Sequence, residues 1–243
     1  MRVNLTEIGS TNDFAKALLV QKPTEGSIVL AESQTAGRGQ QNAHWQSEPK
    51  KNLTFSIILY PKFIECDKIF RLNQCVALAI ADAIEELLLQ YAQKVKIKWP
   101  NDILCANAKL AGILIENQIQ GKNIESSIIG IGLNVNQTNF SGEFNLKPTS
   151  LALIGKTEFE LELVLTLILE KLRHYYEHLQ NSNASFIKLR YIKRLYRLNE
   201  LAKYSANDEV FYGEIVGVSE EGFLQVIKAG SLTVYKNKEI KYL

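Results

Sequence analysis

A proline ends one short alternating segment and places a polar cluster directly after it. Residues 95–99 alternate apolar and polar side chains, which predicts a half-buried strand, and Pro100 cannot continue a strand ladder. The turn that follows carries Asn101 and Asp102, and Lys109 lies seven residues after the Asp. The sequence therefore predicts an amide, a carboxylate and an ammonium at one strand end, where functional groups are often held. The alternative is a polar turn with a surface Lys.

A second polar cluster follows a predicted strand at residues 28–32. It contains Gln34 and the run Gly37-Arg38-Gly39-Gln40, with Trp45 just beyond. Glycines let the backbone approach a ligand closely, and an Arg between them can bind a carboxylate or phosphate through two parallel hydrogen bonds. The pattern predicts an anion-binding loop. The alternative is a glycine-rich hairpin with a solvated Arg.

Composition limits the functional classes. The 243 residues, 46% hydrophobic and 22% charged, suit a globular protein with one large domain and one small one. The formal net charge of +2 gives no electrostatic footprint for DNA, and no apolar run is long enough to span a membrane. No secretory leader opens the sequence, so we expect a cytoplasmic protein.

The cysteines indicate neither disulfides nor a metal site. Cys66, Cys75 and Cys105 are odd in number and lack the spacing of metal ligands, which predicts reduced, structural thiols. No residue is predicted to bind a metal directly. Asn52-Leu53-Thr54 matches a glycosylation sequon, but it opens an apolar strand, so we interpret the match as coincidence.

Hydrophobic periodicity predicts a mixed α/β (α+β) chain. Helices with one apolar face are expected at residues 67–91, with Asp67 as N-cap, and at 161–179 and 186–198. A linker is expected at 199–208, followed by a small all-β module in which the period falls to two. Further strands are predicted at residues 53–60, 112–117 and 124–134.

Two surface features leave alternatives open. The third helix is basic, which indicates a solvated face or, as the alternative, a docking face for an acidic carrier domain or a nucleotide. The residues concerned are Lys188, Arg190, Lys193, Arg194 and Arg197. Residues 51–57 are expected to form an edge strand, whose pairing between two subunits offers a route to a homodimer.

Four ordered motifs together resemble the biotin protein ligases, also called biotin-[acetyl-CoA-carboxylase] ligases. They are Ser10-Thr11-Asn12, Gly37-Arg38-Gly39, Lys98-Trp99-Pro100-Asn101-Asp102 with Lys109 to Leu114 downstream, and Gly130 to Asn136. The resemblance runs from about residue 8 to about residue 153 and is weaker after about residue 200. It implies a mixed-sheet catalytic domain at residues 1–200, related to class II synthetases and lipoate ligases. A small SH3-like β-barrel at residues 201–243 is expected to follow.

The resemblance also implies a reaction. Biotin protein ligases join biotin to ATP as biotinyl-AMP, with Mg²⁺, and pass the biotinyl group to one lysine of biotin carboxyl carrier protein. Because the first motif falls almost at the start of the sequence, we expect the monofunctional type without an N-terminal DNA-binding domain.

Site residues follow from the resemblance, position by position. Those expected to bind biotin are Ser10, Thr11, Asn12, Gln34, Gly37, Arg38, Gly39, Gln40, Lys109, Gly112 and Gly132. Those expected near the nucleotide are Arg38, Gln40, Trp45, Asn101, Lys109 and Asn134. The expected catalytic residues are Lys109, Arg38 and Asp102, with Asp102 holding and deprotonating the acceptor amine unless it only caps the turn. The loop after Asn134, to residue 150, is expected to close over the adenylate.

The sequence departs from the family pattern at Gln40, where many members carry a second Arg. Loss of that cation predicts faster release of biotinyl-AMP. Two other functions stay open: a lipoate or octanoate protein ligase, which shares the fold and chemistry, and a non-catalytic biotin-binding module. A nucleic-acid regulator is disfavoured by the net charge.

Overall fold

A computed structural model describes residues 1–39, 45–144 and 146–243. Seven strands form one mixed sheet in the order β1-β2-β3-β7-β6-β5-β4, in which only the β1–β2 pair is parallel. The strands are β1 (Arg2–Ile8), β2 (Ser27–Gln34), β3 (Leu53–Leu59), β4 (Val95–Lys98), β5 (Asp102–Cys105), β6 (Ala108–Gln120) and β7 (Asn123–Leu133).

Three long helices lie on one side of this sheet, where α2 packs against the strands and α4 and α5 pack against α2. They are α2 (Phe70–Leu87), α4 (Leu161–Gln180) and α5 (Ala184–Lys193), and the short helix α3 (Leu151–Gly155) lies between α2 and α4 in the chain. Most of α2 is buried, since its middle is a run of small and apolar residues that packs against both the sheet and α4. On the opposite face α1 (Thr11–Leu18) packs over β2, β3 and β7 around Ala15, Val29 and Ile58. That face is otherwise open beside α1.

The C-terminal strands form a separate antiparallel sheet of five, in the order β11-β10-β9-β8-β12. They are β8 (Leu201–Ala206), β9 (Glu209–Val218), β10 (Leu224–Lys228), β11 (Ser231–Tyr235) and β12 (Lys241–Tyr242). One continuous hydrophobic core includes residues of both sheets. The indole Nε1 of Trp99, just after β4, donates to the Gly222 carbonyl of the C-terminal sheet at 2.8 Å.

Several sequence predictions are confirmed and others are wrong. The predicted strands and the three long helices are present, with shifted ends. Asp67 is not an N-cap, because it lies in a 3-10 turn (Cys66–Lys68) before α2, whose N-cap is Ile69. The expected linker at residues 199–208 is instead mostly β8, which pairs with β9. The expected edge strand is β3, which lies inside the sheet between β2 and β7, so it cannot pair with a second subunit.

The basic α5 region is an internal ion-pair network rather than a free solvated face. Arg194 forms ion pairs with Asp82 and Glu85 of α2, and its side chain is only 16% exposed. Arg190 pairs with Asp82 at 3.3 Å, and Lys188 pairs with Glu220 of the C-terminal sheet. The expectation of a solvated face is therefore wrong for Arg194, whereas the Arg190 side chain is 40% exposed and Lys193 is exposed.

The cysteines are free thiols, as expected. Burial raises the pKa of the Cys75 and Cys105 thiols, which makes them poor nucleophiles. Within residues 1–39, 45–144 and 146–243, no helix is both long and apolar enough to cross a bilayer.

Asn52 is a structural residue. Its side chain is buried, its Oδ1 accepts from the Val135 N–H at 2.9 Å, and its Nδ2 donates to Gln137 and to Ser47. A glycan could not occupy this amide in the folded chain. The sequon match is therefore a coincidence, as the sequence indicated.

We expect Asn52→Ala to lower the free energy of unfolding by about 2 kcal/mol, because it leaves the buried Val135 N–H without its partner. Urea unfolding measures the change. Asn123→Ala is the matched control: Asn123 is exposed and donates to Lys62, so its loss should cost less than about 0.5 kcal/mol. Equal effects of the two substitutions would contradict the role of Asn52.

Candidate active site

One row of paired residues crosses the large sheet on the face that carries α1, and most of these residues are small. Strand pairing joins its members in the order Ala31, Thr54, Gly132, Gly112, Asp102 and Lys98. Glycine inside a strand costs stability and usually marks a place where a ligand or another group approaches the backbone. A Cβ at Gly132 would overlap the Trp45 indole, which lies directly on this glycine. The row forms a bare floor that ends at a carboxylate and an ammonium.

The floor belongs to a cavity of about 660 Å³. Predicted site residues that line it are Ser10, Thr11, Asn12, Gln34, Arg38, Gly39, Trp45, Asn101, Asp102, Lys109, Gly112, Gly132 and Asn134. Gly37 is held beside it, because its carbonyl accepts from the Trp45 N–H at 2.9 Å. Gln40 lies outside the described residues. The structure thus brings the predicted residues together, while their individual roles stay predictions.

One end of the cavity is lined by neutral polar groups at the start of α1. Ser10 caps the helix, since its hydroxyl accepts from the Asp13 N–H. The Thr11 N–H donates to Gln34 Oε1 at 2.7 Å, which fixes the Gln34 amide. The Ser56 hydroxyl of β3 lies 2.8 Å from the Thr11 hydroxyl and 2.6 Å from Asn12 Oδ1. These amides and hydroxyls can orient a neutral ligand group that has both donors and acceptors.

The other end carries the charge. Lys109 Nζ lies 2.6 Å from Asp102 Oδ1, and Lys98 Nζ lies 3.8 Å from Asp102 Oδ2. The turn that holds Asp102 is fixed to β6, because Asn101 Nδ2 donates to the Ile113 carbonyl at 2.8 Å. Asn134 Nδ2 donates to the Thr149 carbonyl at 2.9 Å. The Asp102 carboxylate is therefore held between two ammonium groups.

Arg38 reaches the cavity from the loop after β2, and carboxylates already bind it. It forms ion pairs with Asp13 of α1 and, at 3.7 Å, with Glu116 of β6. Glu116 also accepts from Asn12 Nδ2 at 2.7 Å. The Arg38 side chain is 42% exposed, so it can exchange these partners for a ligand anion. Arg38 is therefore already paired with carboxylates of the protein, and the binding of a ligand anion by this loop stays a prediction.

The loop after β7 covers part of the cavity. Its end is joined to Lys109 by two backbone hydrogen bonds, from the Lys109 N–H to the Lys147 carbonyl and from the Thr149 N–H to the Lys109 carbonyl. The cavity is also lined by Phe140, Ser141, Gly142, Glu143 and Phe144 of this loop. These described residues of the loop therefore lie beside Lys109 at the cavity, and closure of the loop over an adenylate stays a prediction.

Four residues that sequence reasoning missed belong to this site. Thr54 lines the cavity, and its buried hydroxyl has no hydrogen-bond partner among the described residues. Period-two alternation in β3 could have placed Thr54 and Ser56 on one face. Lys98 was visible in the motif but carried no assigned role. Asn237, from the turn between β11 and β12, lines the cavity too, and no local sequence signal points to it.

The described residues form no cluster of side chains suited to bind a metal ion. The ranges 1–39, 45–144 and 146–243 contain no group of three or more His, Cys, Asp or Glu side chains suited to an ion.

Comparison with known proteins identifies the family. The model of the biotin/lipoate A/B protein ligase family matches residues 6–134, more than half of the chain. The chain belongs to the biotin/lipoate A/B protein ligase family. The resemblance read from the motifs is confirmed, and the matched segment carries most of the cavity described above.

Individual relatives of this ligase family agree with that placement. The bifunctional ligase/repressor BirA of Bacillus subtilis is 32% identical over 219 residues, which cover 89% of this chain and 66% of the relative. A biotin-[acetyl-CoA-carboxylase] ligase of Paracoccus denitrificans is 36% identical over 132 residues, 54% of this chain and 53% of the relative. The chain thus spans slightly less than two thirds of the first relative and about half of the second.

A solved structure matches along the full length. The biotin protein ligase from Aquifex aeolicus, in complex with biotin and ATP, has a TM-score of 0.83 at 25% identity. The match covers 100% of this chain and 99% of that one. The predicted combination of a mixed catalytic sheet and a separate small β module is therefore confirmed.

The glycine floor generates a prediction for the ligand-free ligase. We expect Gly132→Ala to push the Trp45 indole off the sheet, because overpacking costs about 1–3 kcal/mol and the indole can move to relieve it. Acrylamide quenching of tryptophan fluorescence reports this movement, since the only other tryptophan, Trp99, is buried.

Gly112→Ala is the matched control, because its Cβ would lie 3.3 Å from the indole Cζ3 and needs only a small adjustment. If Gly112→Ala exposes Trp45 as much as Gly132→Ala does, the indole does not depend on the bare backbone at Gly132.

Proposed function

We propose that this protein is a biotin protein ligase that attaches biotin to a lysine of biotin carboxyl carrier protein through biotinyl-AMP. The observation that carries the proposal is the Lys109–Asp102 pair at the end of the glycine floor, opposite the polar groups of α1 and β3. A ligand with a neutral hydrogen-bonding head and an anionic tail fits this polarity.

The two ends of the cavity would divide the binding of biotin. Ser10, Thr11, Asn12 and Gln34 would bind the ureido head, since they supply hydroxyl, amide and backbone groups. Gly37, Gly39 and Gly112 would let the ring system lie close to the backbone, and Gly132 would do so once the Trp45 indole moves off it. The biotin carboxylate would then point toward the Lys109 ammonium, which lies 2.6 Å from Asp102 at the end of the strand row.

In the first half-reaction an oxygen of the biotin carboxylate attacks the α-phosphorus of ATP, a new P–O bond forms and pyrophosphate leaves. Two anions must meet, so catalysis depends on fixed positive charge. Lys109 and Arg38 would supply it, with Trp45, Asn101 and Asn134 beside the nucleotide and Gln40 in the same loop. Mg²⁺ would enter with its substrate as Mg-ATP, and we assign it no protein ligand.

In the second half-reaction a lysine amine of the carrier attacks the acyl carbon of biotinyl-AMP, the amide forms and AMP leaves. The amine must lose a proton, and Asp102 is the carboxylate that lines the cavity beside Lys109. The loop with Phe140 and Phe144 would exclude water from the mixed anhydride.

We further propose that residues 1–200 and 201–243 act as the catalytic domain and the C-terminal domain, and that the protein works in the cytoplasm, which its free thiols suit. A homodimer that pairs the large sheets of two subunits would use β1, the edge strand beside β2, because β3 is internal and a backbone bridge to Leu195 covers β4.

The decisive experiment is pyrophosphate exchange with biotin, run beside lipoate and octanoate. We expect exchange that depends on biotin. Exchange with lipoate or octanoate alone would assign the protein to the other branch of its family. Binding of biotin without any exchange would indicate a non-catalytic module.

We expect Lys109→Ala to slow biotin adenylation by roughly 100- to 1,000-fold, the loss of one cation that acts on the transition state. Lys122→Ala is the matched control, at the far β6–β7 turn, and should leave adenylation within about twofold because surface charges at that distance are screened. Thermal unfolding checks that both variants fold. Adenylation by Lys109→Ala at a rate close to wild type would remove Lys109 from the chemistry.

We expect Asp102→Asn to slow transfer from preformed biotinyl-AMP more than it slows pyrophosphate exchange, because only transfer needs a proton acceptor. Single-turnover transfer to a purified carrier domain and isotope exchange measure the two half-reactions. A similar loss in both assays would instead place Asp102 with the nucleotide or with the turn.

A further inference from the structure

Lys98 lies between the candidate active site and the C-terminal sheet. Its Nζ is 3.8 Å from Asp102 Oδ2 and 4.7 Å from the centre of the Tyr242 ring in β12. The Lys98 side chain is only 19% exposed, and Asp102 is 15% exposed. One ammonium group therefore contacts a carboxylate of the site on one side and an aromatic face of the last strand on the other.

The Tyr242 ring compensates for part of the water that Lys98 loses. Burial lowers the pKa of Lys98, while the nearby Asp102 acts against this shift. An aromatic face attracts a cation through its quadrupole, and the attraction is larger when the cation is partly desolvated. The ring thus favours the charged form of Lys98 in the position where it contacts Asp102.

Tyr242 is itself held firmly. Its ring packs edge-on to Tyr204 at 5.5 Å and lies over Tyr196 at 6.1 Å. The backbone around it pairs with β8, and Arg197 donates to the Leu243 carbonyl at 3.0 Å. The ring is therefore a fixed surface against which Lys98 rests.

Asp102 needs Lys98 as a second cation because Lys109 must pair both with Asp102 and with the substrate anion. In the proposed reaction Lys109 faces the substrate anion, and an ammonium shared with that anion holds Asp102 less firmly. Lys98 Nζ lies 3.8 Å from the other carboxylate oxygen, so it can hold Asp102 while Lys109 engages the substrate.

We propose that Tyr242 is a positioning residue that acts through Lys98 to hold Asp102 in place for the transfer of biotin to the carrier lysine. The inference rests on the proposed function for the identity of that step. It gives the C-terminal sheet a direct part in the chemistry of the large sheet.

A double-mutant cycle in the full-length chain tests the proposal. Single-turnover transfer is measured from preformed biotinyl-AMP to a purified biotin carboxyl carrier domain. We expect Tyr242→Leu and Lys98→Met each to slow transfer by about 5- to 20-fold, and the double variant to be no slower than Lys98→Met alone, since both act on one contact. Tyr242→Phe keeps the ring, so its transfer rate should stay within about twofold of wild type.

Tyr212→Leu is the matched control. It makes the same substitution on the exposed outer face of the C-terminal sheet, where the Tyr212 side chain is 63% exposed. Its transfer rate should equal that of wild type. Additive losses in the double variant, or a Phe variant as slow as the Leu variant, would show that Tyr242 supports only the fold of its module.

Two further measurements distinguish loss of the contact between Lys98 and Tyr242 from loss of folding. If thermal unfolding shows that Tyr242→Leu does not fold, Lys98→Met decides alone, and normal transfer by that variant overturns the proposal. Amine labelling of Lys98 in ligand-free protein, read by mass spectrometry, should be faster in Tyr242→Leu than in wild type; unchanged labelling counts against the contact. Absence of biotin adenylation in wild type would overturn the proposed function, whereas an active wild type with additive variants overturns only this inference.

Discussion

The pairing register of four strands is the constraint on which the cavity depends. Thr54, Gly132, Gly112 and Asp102 lie side by side only because β3, β7, β6 and β5 pair as they do. Side chains in a strand alternate between faces, so a shift of the pairing register by one residue would move these side chains to the other face of the sheet. The paired residues Ile131 and Ile113, now in the core behind the sheet, would then fill the floor. Packing of the apolar face of the sheet against α2 therefore fixes the strand register. The register in turn keeps bulky side chains off the opposite face, where the ligand would bind.

Charge is distributed so that the ligand-free site is already neutralised. Arg38 is paired with Asp13 and Glu116, and Lys109 with Asp102, so each cation expected to bind an anion has a carboxylate partner beforehand. Such pairs cost little to keep at partly exposed positions, and a substrate anion can replace one partner without leaving a bare charge in the cavity. Two carboxylates of different elements hold Arg38 near α1 and Asn12. We therefore expect the binding of a substrate anion by Arg38 to require the exchange of these contacts.

Sequence reasoning recovered the parts of the site that depend on local rules. Pro100 ended β4, glycines marked close backbone approach, and the apolar stripes predicted the three long helices. It missed what depends on distant pairing. The parallel edge strand β1 has no tight turn to signal it, and β3 looked like an edge because its central place follows from β7, far along the chain. Asn237 and Tyr242 reach the site only through the docking of the C-terminal sheet, which no periodicity in either segment encodes.

That docking also explains why the polar turn is rigid. The turn between β4 and β5 is fixed on one side by β6, through Asn101 and the Ile113 carbonyl. On the other side Trp99 donates from its indole to the Gly222 carbonyl, and Trp99 is itself buried in the core common to both sheets. These two contacts together would not orient Asp102, because the turn could still rotate about the line that joins them. The contact of Lys98 with Tyr242 adds a third point, so the carboxylate is held by β6, by the loop before β10 and by β12 together. In the proposed reaction the C-terminal sheet would therefore be part of the framework that positions Asp102.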